Sequence, residues 1–376
     1  MQMKVASQKK VNLVAKQEFF GEAPNVFVGR YGYPNINVGL LSVEHYDNHD
    51  EPLKWSADGV GIQQVIDYRT ALVNSSFKAQ VKSFDNRFLE MTQEVSLAAK
   101  PVDVEISLNK KPHFSLSLSQ DTMPHGPNVK LEKARITENV KVPTQVERAV
   151  GDTDLKAADA VAELRKKFDE HYLTKILSVG NLGLEQNRKL VPTRWSITAV
   201  DDMIGKEMIE EVKKYPESDH MAFFGGYLGN YYIILTFPEV WRYELFETAV
   251  SEKMSFSTDY EDHGGRKEYA FETAGGYYAA RHAILERLSG LKRQASVLCL
   301  RFITSEYWAP LGVWVVREAT RNAMKSRPLM FDDKELMLKY AKALVKKKFG
   351  LDLEVILKGS RLLHQLKTQK TLKQFV

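Results

Sequence analysis

Two carboxylates two residues apart, Asp103 and Glu105, are the first residues in this sequence that could do chemistry on a phosphodiester. They lie in a segment whose apolar residues alternate like a strand, so both side chains point to one face. Such a pair could hold a divalent metal, Mg²⁺ or Mn²⁺, that activates water. Alternatively, the two carboxylates pair with Lys or Arg across the sheet, and we favour this structural role. Lys100, just before them, is a candidate phosphate contact.

A polar face is predicted at residues 194–200, which have the composition of a strand. On a strand, alternate side chains from Arg194 to Asp202 would share one face, whereas Trp195 would point into the core. This face would form the wall of a site in which Arg194 contacts phosphate.

Asp201 and Asp202 end that segment and have two possible roles. They would complete the metal site, or either would cap a helix predicted over 203–214. Both alternatives remain open. Lys189, just before the segment, is another candidate for phosphate.

Gly275 and Gly276 open a helix predicted over 277–289. Glycines at a helix start leave backbone N–H groups free to approach an anion, and the helix dipole favours negative charge there. Arg281 shares a helix face with apolar residues, so it either pairs with a carboxylate or holds a phosphate bidentately. Arg293 is included with these phosphate-binding candidates.

The glycine-rich segment 19–40 has the composition of an ordered, aromatic-rich loop. Tyrosine rings in it could stack on bases, while Arg30, Asn35 and Asn37 supply hydrogen-bond donors. The alternative is a loop that only packs against the core with its own turn hydrogen bonds. We favour the functional interpretation, because long polar and aromatic loops often carry function.

Composition bounds the kind of protein that must position these residues. The 376 residues are 44% hydrophobic and include a single cysteine, Cys299, which lies in an apolar run and is predicted to be buried. A cysteine-based zinc site is therefore excluded, and the nine histidines show no metal-binding spacing. No signal peptide or membrane-spanning segment is recognisable, which indicates a cytoplasmic protein. Residues 321–376 carry 14 Lys and Arg against 5 Asp and Glu, a net charge of +9, whereas the first 320 residues carry −4.

The elements alternate without a steady β-α-β rhythm, so we predict an α+β fold with mixed sheets and flanking helices. Residues 121–151 are turn-rich, and Asp152 is a plausible N-cap. Predicted helices cover 60–75, 153–168 and 333–348, in addition to those above. Predicted strands cover 102–108, 113–118, 267–273, 294–303 and 311–317, and a hairpin over 222–236 turns near Gly229 and Asn230.

A polar, glycine-bearing break at residues 251–266 divides the chain. We predict a large N-terminal domain over 1–250, a smaller C-terminal domain over 251–360, and a flexible tail over 361–376.

The last eight residues have a spacing that suits a docking peptide. In a 3₁₀ turn, positions three apart lie on one face, and here they are Gln369, Leu372 and Phe375, with Val376 beside the last. One amide and an apolar plug would thus face a partner. The alternative is an amphipathic helix end packed on the protein itself, which we consider weaker for a basic, polar tail. The spacing resembles the motif with which replication and repair proteins bind the DNA sliding clamp (PCNA), although the usual second aromatic is Val376 here.

Blocks along nearly the whole chain resemble the archaeal Nre family of DNA repair proteins. These blocks are residues 27–39, 100–105, 152–156, 188–202, 275–281 and 293–295. The resemblance implies a role in DNA damage repair, clamp binding through the C-terminal motif, and a large N-terminal and smaller C-terminal domain. Some members begin with a four-cysteine zinc finger, whereas Cys299 is the sole cysteine here, so no zinc is expected.

Three functions follow from these patterns. The leading one is a DNA repair factor that is recruited to the clamp and binds nucleic acid or a nucleotide in a polar, basic pocket. The second is a metal-dependent nuclease or phosphohydrolase that uses Asp103, Glu105, Asp201 and Asp202. The third is a non-catalytic adaptor that recruits other repair proteins. Whether the protein is an enzyme stays open at this point.

Overall fold

The computed structural model describes residues 16–113, 124–251 and 255–368. Strands and helices form two separate mixed sheets with flanking helices, which confirms the predicted α+β class. In the part of the chain described, no helix is both long and apolar enough to cross a bilayer.

The chain divides into two compact units. The barrel unit lies within residues 1–204 together with 309–312, and the sheet unit lies within 205–308 together with 313–376.

The barrel unit is built on a closed five-stranded barrel. Its strands are β1 (Glu18–Val28), β2 (Asn35–Val43), β3 (Val73–Gln80), β4 (Val102–Leu108) and β5 (Asn128–Ile136). Around the barrel they run in the order β1-β2-β3-β5-β4, and β4 pairs back onto β1. Strands β3 and β5 are parallel, whereas the other neighbouring pairs are antiparallel.

Helices accompany the barrel, and the position of one of them indicates the type of barrel. The helices are α1 (Pro52–Ala57), α2 (Ile62–Ala71), α3 (Arg87–Leu97), α4 (Thr144–Gly151), α5 (Ala157–Leu164) and α6 (Glu170–Ser178), with a 3₁₀ turn at Glu185–Asn187. Helix α3 connects β3 to β4 and contributes Leu89 and Val95 to the barrel core. Five strands closed in this order, with a helix between the third and fourth, have the connectivity of an OB-fold barrel.

Strands β1 and β2 replace the loop that the sequence predicted over 19–40, so that prediction is wrong except at the turn between the strands. Ile36, Val38 and Leu40 alternate into the barrel core and are fully buried. The glycines that suggested a loop are required by close packing instead. A Cβ at Gly21 would collide with the backbone of Val43, and one at Gly39 with β3.

The sheet unit contains one six-stranded mixed sheet. Its strands are β6 (His220–Tyr227), β7 (Asn230–Phe237), β8 (Arg242–Ala249), β9 (Ser255–Glu261), β10 (Ser296–Ile303) and β11 (Leu329–Phe331), in the order β11-β6-β7-β10-β8-β9. Strand β10 is parallel to β8 and antiparallel to β7. The predicted hairpin is confirmed, and Leu228 (φ 50°) and Gly229 (φ 74°) adopt the left-handed conformations of its two-residue turn.

The remaining helices are α7 (Thr193–Val212), α8 (Ala274–Leu291), α9 (Val313–Lys325), α10 (Lys334–Phe349), α11 (Glu354–Lys358) and α12 (Arg361–Thr368). The helices predicted at 277–289 and 333–348 are confirmed as α8 and α10, and the one at 60–75 as α2. Cys299 is buried in β10, as predicted.

The strand predicted at 194–200 is wrong, because these residues begin the long helix α7. Thr, Ile and Val suggested a strand, but Val200, Ile204, Met208 and Val212 recur every four residues and are all buried. This stripe at helical spacing decides the local structure. The strand predicted at 311–317 fails for the same reason, since Val315, Val316, Ala319 and Ala323 form a buried stripe of α9.

Residues 251–273 differ most from their prediction. The polar segment taken for a break contains β9, and the predicted strand at 267–273 is irregular apart from a turn that leads into α8. Strand β9 carries acidic side chains that are neutralised inside the fold: Asp259 pairs with Arg266 at 2.7 Å. The polar residues 255–261 are therefore part of the sheet.

Two smaller predictions are also wrong. Asp152 follows the last residue of α4 rather than capping a helix over 153–168, because α5 begins only at Ala157. The turn-rich segment 121–151 contains β5 and α4. Most of the strand predicted at 113–118 lies outside the described residues.

The flexible tail predicted from residue 361 is wrong for 361–368, which form α12. Leu362 and Leu363 are buried against the sheet, so two core residues anchor this helix. The last eight residues lie outside the described part of the chain.

Candidate nucleic-acid interface

The turn between β1 and β2 displays aromatic rings and a cation at one end of the barrel. Gly29 N donates to Asn37 O at 2.7 Å and Asn35 N donates to Gly32 O at 2.8 Å, and these bonds close the turn. Gly32 has a φ of 83°, a conformation that side chains rarely adopt. The turn leaves Tyr31 75% exposed and Tyr33 50% exposed.

The start of α7 lies against this turn and adds a third ring. Val28 N donates to Thr193 Oγ1 at 2.9 Å, and the rings of Tyr33 and Trp195 lie 5.9 Å apart between centroids. Trp195 is 48% exposed, so the prediction that it faces the core is wrong. Arg194 directly precedes Trp195 at the start of α7 and is also exposed.

Two cations lie at this turn. The Arg30 guanidinium lies 5.0 Å from the Tyr31 ring centroid and donates to the Tyr31 hydroxyl at 3.0 Å. Lys78 Nζ lies 3.8 Å from the position that a Cβ on Gly32 would take. We refer to Arg30, Tyr31, Tyr33, Lys78, Arg194 and Trp195 as the cationic–aromatic surface.

Strands β2 and β3 continue this surface with neutral and basic side chains. Asn35 pairs with Gln80 and Asn37 with Lys78, and these four residues point away from the core. In OB-fold proteins, the face of strands 2 and 3 and the loops after strands 1 and 4 bind oligonucleotides. The predicted residues Arg30, Asn35 and Asn37 lie at the equivalent place.

The connection between β4 and β5 also has a basic, concave end. A cavity of about 250 Å³ lies there. Among the described residues, those that line it are Lys110, His113, His125, Gly126, Pro127, Asn128 and Val129.

Acidic side chains lie along the β1–β4 ladder of the barrel. Glu22 pairs with Asp103 and Phe20 with Glu105 in the β1–β4 ladder. Glu105 forms an ion pair with Arg135 of β5 at 3.0 Å, which confirms the structural alternative for this residue. Asp103 is exposed at the same edge.

The structure gives no support to a metal site at the predicted carboxylates. Asp201 is fully buried and Asp202 half-buried on α7. Within residues 16–113, 124–251 and 255–368, no three His, Cys, Asp or Glu side chains are grouped so as to hold a metal.

The start of α8, predicted to bind an anion, faces a carboxylate of the protein itself. A Cβ on Gly276 would collide with the Glu247 carboxylate. Glu247 in turn is bound by Arg301 at 2.5 Å, and Arg301 also donates to Asn230. Gly276 therefore makes room for an internal ion pair.

Arg281 is likewise used inside the fold. It is 1% exposed, and Nη1 donates to Glu261 Oε2 at 2.7 Å. Trp241 Nε1 donates to the other oxygen of Glu261 at 3.0 Å. Of the two alternatives left open by the sequence, pairing with a carboxylate is confirmed.

The other predicted phosphate contacts are scattered. Lys100 is exposed just before β4, Lys189 is exposed just before α7, and Arg293 is exposed after α8 in the sheet unit. The clamp-binding residues lie outside the described residues. They are Gln369, Leu372, Phe375 and Val376.

Comparison with known proteins matches both parts of the chain to one family. The family model "Archaeal Nre, N-terminal" matches residues 1–254, and "Archaeal Nre, C-terminal" matches residues 261–375. The chain belongs to the archaeal Nre family. No solved structure matches it significantly.

Three Nre relatives are similar over most of their length. DNA repair protein NreA of Haloferax volcanii is 37% identical over 81% of this chain and 77% of the relative. DNA repair protein NreA of Archaeoglobus fulgidus is 38% identical over 82% and 80%, respectively. DNA repair protein NreB of the same organism is 33% identical over 94% and 90%.

This Nre-family protein also contains a buried polar cluster that the sequence did not reveal. Asp50 is 3% exposed; it pairs with Arg69, and His171 Nε2 lies 2.8 Å from its Oδ2. Burial alone would raise the pKa of Asp50, but the charges of His171 and Arg69 outweigh it and lower that pKa. The partners come from α2 and α6, about 100 residues apart in the sequence, so no local motif could have marked them.

Proposed function

We propose that this Nre-family protein is a DNA repair factor with two attachments. Its barrel binds nucleic acid on the cationic–aromatic surface, and its last eight residues bind the DNA sliding clamp (PCNA). The repair role is carried over from its relatives, which are named DNA repair proteins.

The observation that carries the nucleic-acid half is the position of that surface on the barrel. The barrel has OB connectivity, and the exposed rings and cations lie on the loop after its first strand. That is the region with which such barrels bind oligonucleotides. Aromatic rings beside cations suit stacked bases and a phosphate backbone.

The clamp half is supported by the helix that precedes the tail. The buried Glu244 carboxylate accepts hydrogen bonds from Ser360 Oγ at 2.5 Å, Arg361 N at 2.9 Å and Leu362 N at 3.1 Å. A carboxylate at the N-terminus of a helix is also stabilised by the positive end of the helix dipole. Because α12 is held in this way as far as Thr368, the last described residue, the proposed docking peptide follows an anchored helix in the sequence.

The expected affinity is moderate. Burial of Leu372, Phe375 and Val376 would contribute roughly 5–8 kcal/mol, and ordering a free peptide offsets several kcal/mol of it. These terms alone leave at most about 6 kcal/mol, so a dissociation constant no tighter than tens of micromolar is expected. Such a contact suits reversible recruitment to a moving platform.

Titration of the full-length protein with an archaeal sliding clamp by calorimetry tests this half. Removing both apolar anchors with Phe375→Ala and Val376→Ala should weaken binding at least ~100-fold, because each buried side chain contributes about 1.5–3 kcal/mol and every 1.4 kcal/mol is tenfold. Thr371→Ala, between two anchor positions, is the matched control and should bind like the intact protein. Equal affinity of the double variant and the control would reject clamp binding through this motif.

The metal-dependent alternative has no comparable support. Glu105 forms an ion pair with Arg135. In the described residues, no three His, Cys, Asp or Glu side chains are grouped so as to hold a metal.

A further inference from the structure

We propose that the ligand of the cationic–aromatic surface is single-stranded DNA. Its bases would stack on Tyr31, Tyr33 and Trp195, and its phosphates would contact Arg30, Lys78 and Arg194. This inference rests on the nucleic-acid half of the proposed function and names the strand form.

The rings are arranged as a platform. Tyr31, Tyr33 and Trp195 are each at least 48% exposed, and they come from one turn and the helix start beside it. Isolated exposed rings are common on protein surfaces, but three together form a patch that suggests a binding site. Tyr33 and Trp195 lie 5.9 Å apart at an interplanar angle of 50°, so each still offers part of a face.

The cations around this platform are available to a ligand. In the described ranges, Arg30, Lys78 and Arg194 form no ion pair with a carboxylate. Arg30 instead lies over the ring of Tyr31, where a guanidinium can contact both a base and a phosphate. Glu22 and Asp103, which are paired in the β1–β4 ladder, would repel the DNA backbone and direct the strand across β2 and β3.

Duplex DNA does not fit this chemistry. Its bases are stacked on one another and present only their edges in the grooves, so an exposed ring has no base face to contact. A single strand exposes base faces, and every base can stack irrespective of sequence. A surface of three rings with flanking cations thus selects unpaired strands without reading a sequence.

Fluorescence anisotropy with the full-length protein tests the inference. The probes are a labelled oligonucleotide of about 20 nucleotides, longer than a typical OB-fold site, and the same oligonucleotide in a duplex. Single-stranded DNA should bind at least ~10-fold tighter than the duplex. Tyr31→Ala, Tyr33→Ala and Trp195→Ala should each weaken binding roughly 5- to 100-fold, which corresponds to the loss of one base stack.

Two controls separate stacking from loss of structure. Trp195→Phe retains a ring and should bind within about 3-fold of the intact protein, whereas Trp195→Ala should not. Phe271→Ala removes a ring that is 77% exposed in the sheet unit and should leave binding unchanged. Circular dichroism and thermal unfolding confirm that each variant is folded.

Arg30→Ala probes the phosphate contacts. The plot of log affinity against log salt has a negative slope, and this variant should make the slope shallower by about 0.7, the value for one phosphate contact on a single strand. An unchanged slope would count against a phosphate contact at Arg30.

The outcomes distinguish this inference from the proposed function. If all three ring variants bind single strands like the intact protein, or if duplex binds tighter, the inference is overturned while nucleic-acid binding stands. If no DNA binds but the clamp titration succeeds, the nucleic-acid half of the function fails together with the inference.

Discussion

The barrel unit has arginines on its surface whose surroundings differ from those of the buried arginines in the sheet unit, although its own Arg69 is paired with the buried Asp50. Arg30 and Arg194 of the barrel unit lie on a surface among exposed rings. Arg281 and Arg301 of the sheet unit are buried and bound to Glu261 and Glu247. Under the proposed function, the exposed arginines would bind a ligand, whereas the buried arginines stabilise the fold.

The difference teaches that an arginine must be assigned by what already satisfies it. A buried guanidinium without a partner would lose its hydration, so the fold supplies a carboxylate. A half-exposed guanidinium beside a ring keeps water and can exchange it for a phosphate. The following predictions test this contrast, from the largest effect to the smallest.

Breaking a buried pair in the sheet unit should have the largest effect. Glu261→Gln neutralises a buried carboxylate to which Arg281 donates, and we expect a loss of about 3–5 kcal/mol in the free energy of unfolding. Arg194→Ala in the barrel unit should change it by less than about 0.5 kcal/mol, since the side chain is exposed. Urea unfolding followed by circular dichroism measures both. Equal losses in the two variants would erase the contrast between the units.

The second prediction concerns the helix start that the sequence assigned to an external anion. Gly276→Ala should destabilise the protein by about 1–3 kcal/mol, because the new methyl group collides with Glu247 while Arg301 holds that carboxylate in place.

Gly290→Ala in the same helix is the matched control. A Cβ there meets nothing within 4 Å, so the substitution should stabilise the protein by up to about 1 kcal/mol. If both alanines stabilise, Glu247 does not fill this space and the helix start is again a candidate for an external anion.

Local signals explain which elements could be predicted. Helix α10 has a side-chain cap, with Leu336 N donating to Asp333 Oδ1 at 2.8 Å, and ends before Gly350, whose φ is 73°. The β6–β7 hairpin has Gly229 in its turn, a residue that readily adopts the left-handed conformation required there. By contrast, Gly21 and Gly39 are required by neighbouring strands that come later in the sequence, so they suggested a loop where strands form.

The candidate site was predictable only in pieces. Arg30, Asn35 and Asn37 were identified from their composition, but Trp195 was assigned to the core because 194–200 was taken as a strand. The spacing of Val200, Ile204 and Met208 was the signal that could have placed Trp195 on a helix. Its contact with Tyr33, about 160 residues away in the sequence, depends on tertiary structure.

The smallest effect on stability should come from ion pairs whose carboxylates are partly exposed. Burial alone would raise the pKa of Glu286, but hydrogen bonds from His282 and Arg321 outweigh it and lower that pKa to about 2. The folded value lies below the ordinary value of 4.5, so this carboxylate stabilises the fold above pH 4.5. That stabilisation is lost as the pH falls from there towards 2.

Glu286→Gln should therefore reduce stability at pH 7 and flatten its decline in acid. The side chain is 36% exposed, so solvent screening limits the effect to about 1 kcal/mol. Glu105→Gln on the barrel, where the pair with Arg135 is more exposed, should have less effect at every pH. Thermal unfolding of both variants between pH 3 and 7 is the measurement. A larger acid-dependent loss for Glu105→Gln would mean that the barrel too relies on its surface charges for stability, and the contrast between the units would then hold only for their buried arginines.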